Sequence, residues 1–226
     1  MTPVPDLLRR CVSRAEGGDA WLDALPALVA RAAERWRLTL GLPFEDGSAA
    51  WTAPATAACG TPVVLKISYP HSEARHEAAA LGAWAGSGAV RILDSHEDDW
   101  ALLLARCTPG TALRDEGLED LEHVRIGAQL LEQLARATVP DGGPIPTLVS
   151  VAAGLADIAS EQIDRLAGTA PIPLDRGLCA HAVDLLRTLP LDAPTRGSRT
   201  ATSTRATSRA TTPAARCAGS PSTPKP

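Results

Sequence analysis

The segment Thr61–Trp84, TPVVLKISYPHSEARHEAAALGAW, decides how the rest of the chain is read. Its first half, Val63-Val64-Leu65-Lys66-Ile67, is short, apolar and β-branched. Pro62 precedes it and Tyr69-Pro70 follows, the pattern of a largely buried strand. A lysine in such a strand needs a partner. Beyond Pro70 the spacing turns helical: Ser72 can cap a helix beginning at Glu73, and Ala74, Glu77, Leu81 and Trp84 fall on one stripe. Glu77 is therefore expected to point inward, where an unpaired carboxylate is costly. A Lys66–Glu77 ion pair satisfies both groups and would aim the ammonium at the α- and β-phosphates of a nucleotide. On these residues alone a second reading serves equally well, with Lys66 snorkelling from a strand edge and Glu77 solvated. Glu73, one turn earlier on the stripe, is a rival partner, although the helix dipole already accounts for an acid in the first turn.

Working outward, Asp19 can cap a helix over about residues 20–36. Leu22, Leu25, Leu28, Val29, Ala32 and Trp36 form its apolar side, and it is expected to pack on the small lobe. Ser48–Ala53 reads as a strand and Ala55–Thr61 as a turn into the Lys66 strand. Only Gly47 is available in this hairpin, so there is no G-x-G-x-x-G lid, and no P-loop motif occurs anywhere. Two further strands are expected at Ala89–Leu93 and Trp100–Ala105, separated by the acidic turn Glu97-Asp98-Asp99. Together these make a small antiparallel sheet. Arg106–Gly110 is an irregular connector or simply a Pro-Gly turn. Three helical stripes follow: Leu121, Val124, Ala128, Leu131 and Leu134, then Leu148, Val151, Leu155 and Ile158, then Leu178, Ala182, Leu185 and Leu189.

The chain has 226 residues, 45% of them hydrophobic, enough for one large domain or two lobes with real cores. Its five cysteines are scattered, which suggests neither a disulfide framework nor a zinc site. The five histidines show no metal-ligand spacing, and no G-x-S-x-G motif supports a hydrolase. No signal pattern or membrane-length apolar run is present, so a soluble, cytoplasmic protein is expected. Residues 195–226 carry five Arg and one Lys with no acid; subtracting those six positive charges from the formal net charge of -4 leaves -10 for residues 1–194. The basic tail contains no aromatic residue for base stacking. Its charge supports only weak non-specific contact with nucleic acid.

The segments LPALVARAAERWRLTLG, TPVVLKISYPHSEARHEAAALGAWAGSGAVRILD and ALLLARCTPGTALRD, in that order, closely resemble the aminoglycoside and hydroxyurea antibiotic-resistance kinases, a group that includes streptomycin phosphotransferases. The likeness covers roughly residues 1–192. It implies an α+β, protein-kinase-like bilobal fold and transfer of the γ-phosphate of ATP, with Mg2+, to a hydroxyl of a small antibiotic. On that resemblance, residues 1–105 form a nucleotide-binding lobe with a leading helix, residues 106–192 an incomplete helical lobe, and residues 193–226 a disordered basic tail. Lys66 corresponds to the phosphate-gripping lysine and Glu77 to its helix partner. Ala105 and Cys107 lie at the hinge beside the adenine.

The departure from the family lies in the tail. The pattern H-G-D-[LF]-[HN]-x-G-N and a later D-P-K segment, which supply the base and metal ligands, should follow the Leu178–Leu189 stripe, and neither is present. Thr195–Pro226 instead has the composition of a segment unable to order itself by apolar burial. The genetic code offers an origin. Reading one base earlier across Arg199–Ser208, RTATSTRATS, the codons can spell A-H-G-D-L-H-P-G-N-V, and across Ser222–Lys225 they can spell V-D-P-K. A frameshift between Leu191 and Gly197 is the expectation. This polypeptide is accordingly expected to lack catalytic and metal-binding residues, and its last helices to leave their apolar stripes uncovered.

Overall fold

The computed structural model describes residues 2–137, 143–166 and 175–191. Expectations about residues 193–226, and about the chain between Leu191 and Gly197, lie outside the described residues. The described chain is α+β, an arrangement consistent with the kinase-like fold that the resemblance implies. Its contacts divide it into one unit up to Gly127 and a second from Ala128 onward.

The first unit begins with α1 (Asp6–Val12) and α2 (Gly18–Arg35), followed by the strands β1 (Leu38–Leu40), β2 (Ala50–Ala57) and β3 (Pro62–Ser68). A single 3-10 turn (Ala74–His76) leads into α3 (Glu77–Trp84), and β4 (Ile92–His96) and β5 (Ala101–Ala105) complete one antiparallel sheet in the order β1-β2-β3-β5-β4. The strand carrying Lys66 is thus central, with Thr52 of β2 on one side and Leu102 of β5 on the other.

Alternation along these strands gives the sheet two differently covered faces. Trp51, Ala53, Leu65, Ile67 and Ala101 face α1 and α2, which bury Leu8, Val12, Leu22, Leu25, Val29 and Ala32 against them. Each large aliphatic side chain buried there contributes about 1.5–3 kcal/mol. The opposite face packs Leu102 and Leu104 with Val64 against Leu81, Ala78 and Trp84 of α3.

Several boundaries differ from the sequence reading. Helix α2 starts at Gly18 behind Gly17, whose φ of 71° a glycine adopts without strain, so Asp19 is a first-turn acid rather than the cap. Ser72 caps nothing, since α3 starts at Glu77 with His76 as its N-cap and no side-chain capping bond. Leu38–Leu40 forms a strand where the sequence reading placed no element. That strand stops because Gly41 N donates to Pro54 O at 2.8 Å while Pro54 has no N–H to return the bond.

The β4–β5 turn is anchored to α2. Arg31 Nη2 donates to Asp99 Oδ1 at 2.5 Å, and His96 Nδ1 lies 3.2 Å from the other carboxylate oxygen. Asp99 is 6% exposed. The hydrogen bond from Arg31 holds its carboxyl below the ordinary range, with the charges of Arg31, His96 and Arg35 adding to the effect.

In the second unit and the helix leading into it, α4 (Asp120–Ala135), α5 (Leu148–Leu166) and α6 (Arg176–Thr188) are all formed, and Asp175 caps α6 by accepting from Leu178 N. Helix α5 buries Ala152 and Ala156, and Arg187 of α6 donates to Asp157 at 2.7 Å. Neither α4 nor α6 has a buried residue. Leu131 is 68% exposed, Ile158 56% and Leu178 68%, while Leu134 and Val151 of the same stripes are half-buried. No helix among the described residues is long and apolar enough to cross a membrane.

Two measurements check this account. A depressed folded-state pKa contributes stability that is complete above the unfolded value, about 4, and is lost as pH falls through the folded value. Asp99→Asn should therefore lower the melting temperature more at pH 7 than at pH 3, measured by calorimetry. On the exposed stripes, Ile158→Glu and Leu178→Glu should reduce binding of a hydrophobic dye and light scattering, while stability changes by less than about 0.5 kcal/mol.

Candidate functional site

Strand β3 forms because Val63, Leu65 and Ile67 are β-branched or aliphatic and fill the α2-facing core, which puts the even-numbered Val64 and Lys66 on the α3 face. Lys66 therefore emerges from the middle of the sheet toward a helix. Glu77 is the first residue of that helix, where the N-terminal dipole favours a carboxylate. Lys66 Nζ donates to Glu77 Oε1 at 2.5 Å.

The two side chains are 20% and 12% exposed. Both are shielded, yet the lysine keeps an open side. Glu73, the rival partner, is 65% exposed and lies 3.9 Å from His71 Nε2. The structure brings Lys66 together with Glu77 and leaves Glu73 at the surface, because α3 starts later than its sequence pattern indicates.

Thr52, Pro54, Val64 and Leu104 share the Lys66 face by register: Thr52 stands opposite Lys66, Pro54 opposite Val64, and Val64 opposite Leu104. This apolar floor escaped the sequence reading, although the alternation Val64, Lys66 in one strand was sufficient to find part of it. Its continuation depends on cross-strand register, which only the fold supplies.

Ala105 ends β5 opposite Val63, and its amide donates to Arg91 O at 2.8 Å. Its side chain belongs to the α2-facing side. The chain leaves the sheet at this point through Arg106 and Cys107, a half-buried free thiol. Lys66 stands opposite Leu102, so Ala105 is three strand residues, about 10 Å, further along the sheet and on its other face. The structure does not bring Ala105 and Cys107 into contact with Lys66; they lie where the chain leaves β5, three residues beyond the strand position opposite the ion pair.

The β1–β2 loop crosses from Gly41 to Ala49. Gly47 is required there, since a Cβ would lie 2.5 Å from Ala50 O. The loop carries Glu45 and Asp46, and Asp46 Oδ2 is 3.1 Å from Arg114 Nη2. It offers no cationic side chain to a phosphate. A cavity of about 280 Å3, lined by Pro3, Val4, Pro5, Asp6, Leu42, Pro43 and Glu45, includes neither Lys66 nor Glu77.

A shielded ammonium with one open side can meet a phosphate, and the half-buried Thr52 and Pro54 lie on the same face beside it, whereas Val64 and Leu104 pack under α3. Among the described residues no group of three or more His, Cys, Asp or Glu is placed to hold a metal ion.

A model of the aminoglycoside/hydroxyurea antibiotic resistance kinases matches residues 35–189. The chain is 32% identical over 185 residues to a streptomycin 6-kinase of Streptomyces griseus, covering 81% of this chain and 59% of that protein. It is 36% identical over 169 residues to a hydroxyurea phosphotransferase of Kitasatospora aureofaciens, covering 74% of this chain and 48% of that one. The chain thus spans about half the length of the relatives it matches.

Removing one partner of a shielded ion pair strands the other charge. Glu77→Gln should cost about 2–3 kcal/mol in chemical denaturation. The double variant Lys66→Met/Glu77→Leu should recover most of that loss.

Proposed function

We propose, because the chain belongs to the aminoglycoside/hydroxyurea antibiotic resistance kinase family, that it derives from an ATP-dependent phosphotransferase acting on an alcohol group of a streptomycin-like aminoglycoside or of hydroxyurea. The observation that carries the reading is the Lys66 Nζ–Glu77 Oε1 contact of 2.5 Å. In this reading Lys66 orients the α- and β-phosphates, Glu77 fixes Lys66, and the backbone from Ala105 to Cys107 runs along the adenine. A cytoplasmic location follows from the supply of ATP. The small antibiotic is the partner, and the basic tail is not a specific nucleic-acid site.

Grip alone does not transfer a phosphoryl group. Transfer also needs a carboxylate to orient the acceptor hydroxyl, together with ligands for magnesium, which neutralises charge developing on the phosphates. The 226 residues contain no H-G-D or D-P-K sequence, while the codons for Arg199–Ser208 and Ser222–Lys225 can spell both in the neighbouring frame. A frameshift between Leu191 and Gly197 accounts for this. The polypeptide then binds nucleotide without turning it over.

In an assay coupled to ADP release, with streptomycin and hydroxyurea as acceptors, the chain should show no turnover above a Lys66→Ala control. ATP without magnesium should raise the melting temperature of the wild-type chain, and Lys66→Ala should abolish the shift. Turnover above the control would overturn the inactivity, and no ATP shift would overturn nucleotide binding. Codons in the genomic DNA incompatible with the two motifs would remove the frameshift.

A further inference from the structure

We propose that Trp100 is a positioning residue for the Lys66–Glu77 pair, acting from the β4–β5 turn on both elements that carry it; the functional value of this rests on the nucleotide-binding reading above. Trp100 has φ +51°, a left-handed conformation that a bulky side chain adopts only under strain. It belongs to none of the three buried clusters, so core packing does not explain it. Backbone strain of this kind persists where the surroundings over-determine it, and it is often held for function.

Both ends of the residue reach the site. The Trp100 carbonyl accepts from Ser68 N at 2.9 Å, and Ser68, 3% exposed, lies two residues beyond Lys66 on β3. The indole ring takes the Arg75 guanidinium at 5.9 Å from its centroid, and Arg75 lies two residues ahead of Glu77 in the 3-10 turn. One residue thus touches the strand behind the lysine and the turn ahead of the glutamate.

That contact matters because neither the 3-10 turn nor α3 has a side-chain cap at its start. The β4–β5 turn, by contrast, is fixed. Arg31 holds Asp99 at 2.5 Å, and Trp100 N donates to Glu97 O at 3.0 Å. The left-handed turn at Trp100 lets its carbonyl meet β3 while its ring meets Arg75. Helix α2 is thereby connected, through Asp99 and Trp100, to the spacing between Lys66 and Glu77.

The sequence contains two lysines, Lys66 and Lys225, so amine labelling read by peptide mass spectrometry measures Lys66 against an internal reference. On the full chain, Trp100→Gly should raise Lys66 labelling about two- to five-fold relative to Lys225, the range that an exposed cation–aromatic contact supports. It should weaken ATP binding by a similar factor. The melting temperature should not fall, because glycine relieves the strain at φ +51°. Trp100→Phe keeps a ring and should label like wild type. Arg75→Ala should match Trp100→Gly, and the double variant should add nothing further. Unchanged Lys66 labelling in Trp100→Gly, additive effects of the two substitutions, or a lowered melting temperature accompanying the labelling would each overturn the proposal. Labelling that responds as stated in a chain whose melting temperature ATP does not raise would uphold the positioning role and reject the nucleotide reading.

Discussion

An ammonium group in the central strand of a sheet sets the terms for everything around it. Lys66 has strands on both sides and a side chain only 20% exposed, so it is accommodated best if a carboxylate is brought to it. Glu77 does this from the first turn of α3, at 2.5 Å. The demand for that carboxylate fixes where α3 must begin and which side of the sheet it covers. With α3 committed to one face, the other is closed by α1 and α2.

The two units differ in how far they satisfy themselves. Up to Gly127, each sheet face has its own helices, and the buried carboxylate of Asp99 has its own guanidinium. From Ala128 onward the buried residues among those described are Ile145, Ala152 and Ala156, while Leu131, Leu155, Ile158 and Leu178 are exposed. Local sequence is strong enough to form these helices, with a capping Asp175 and regular stripes, but forming a helix is not the same as covering it.

Much of the first unit was legible because its signals are local. The β-branched run around Lys66, the acidic turn Glu97–Asp99 and the apolar stripe of α2 each announce an element within a few residues. What escaped depends on partners distant in sequence. Leu38–Leu40 is a strand because Ala55–Ala57 pairs with it. Strand β4 lies at Ile92–His96 rather than on the more apolar Ala89–Leu93, because its register on β5 includes a bulge between Ile92 and Asp94. The Lys66–Glu77 contact was anticipated from the cost of leaving either charge alone. The Arg31–Asp99 bond and the Trp100–Arg75 stack, separated widely along the chain, left no trace in any local pattern.

The outer strands of the sheet give the molecule a particular way of failing. Strand β1 is three residues long, and β4 carries Asp94 beside its bulge, so neither margin offers a long flat ladder to an incoming strand. Growth of ordered fibrils by edge addition is blocked at both sides. Self-association is therefore expected through the exposed aliphatic side chains of α4, α5 and α6 rather than through the sheet margins.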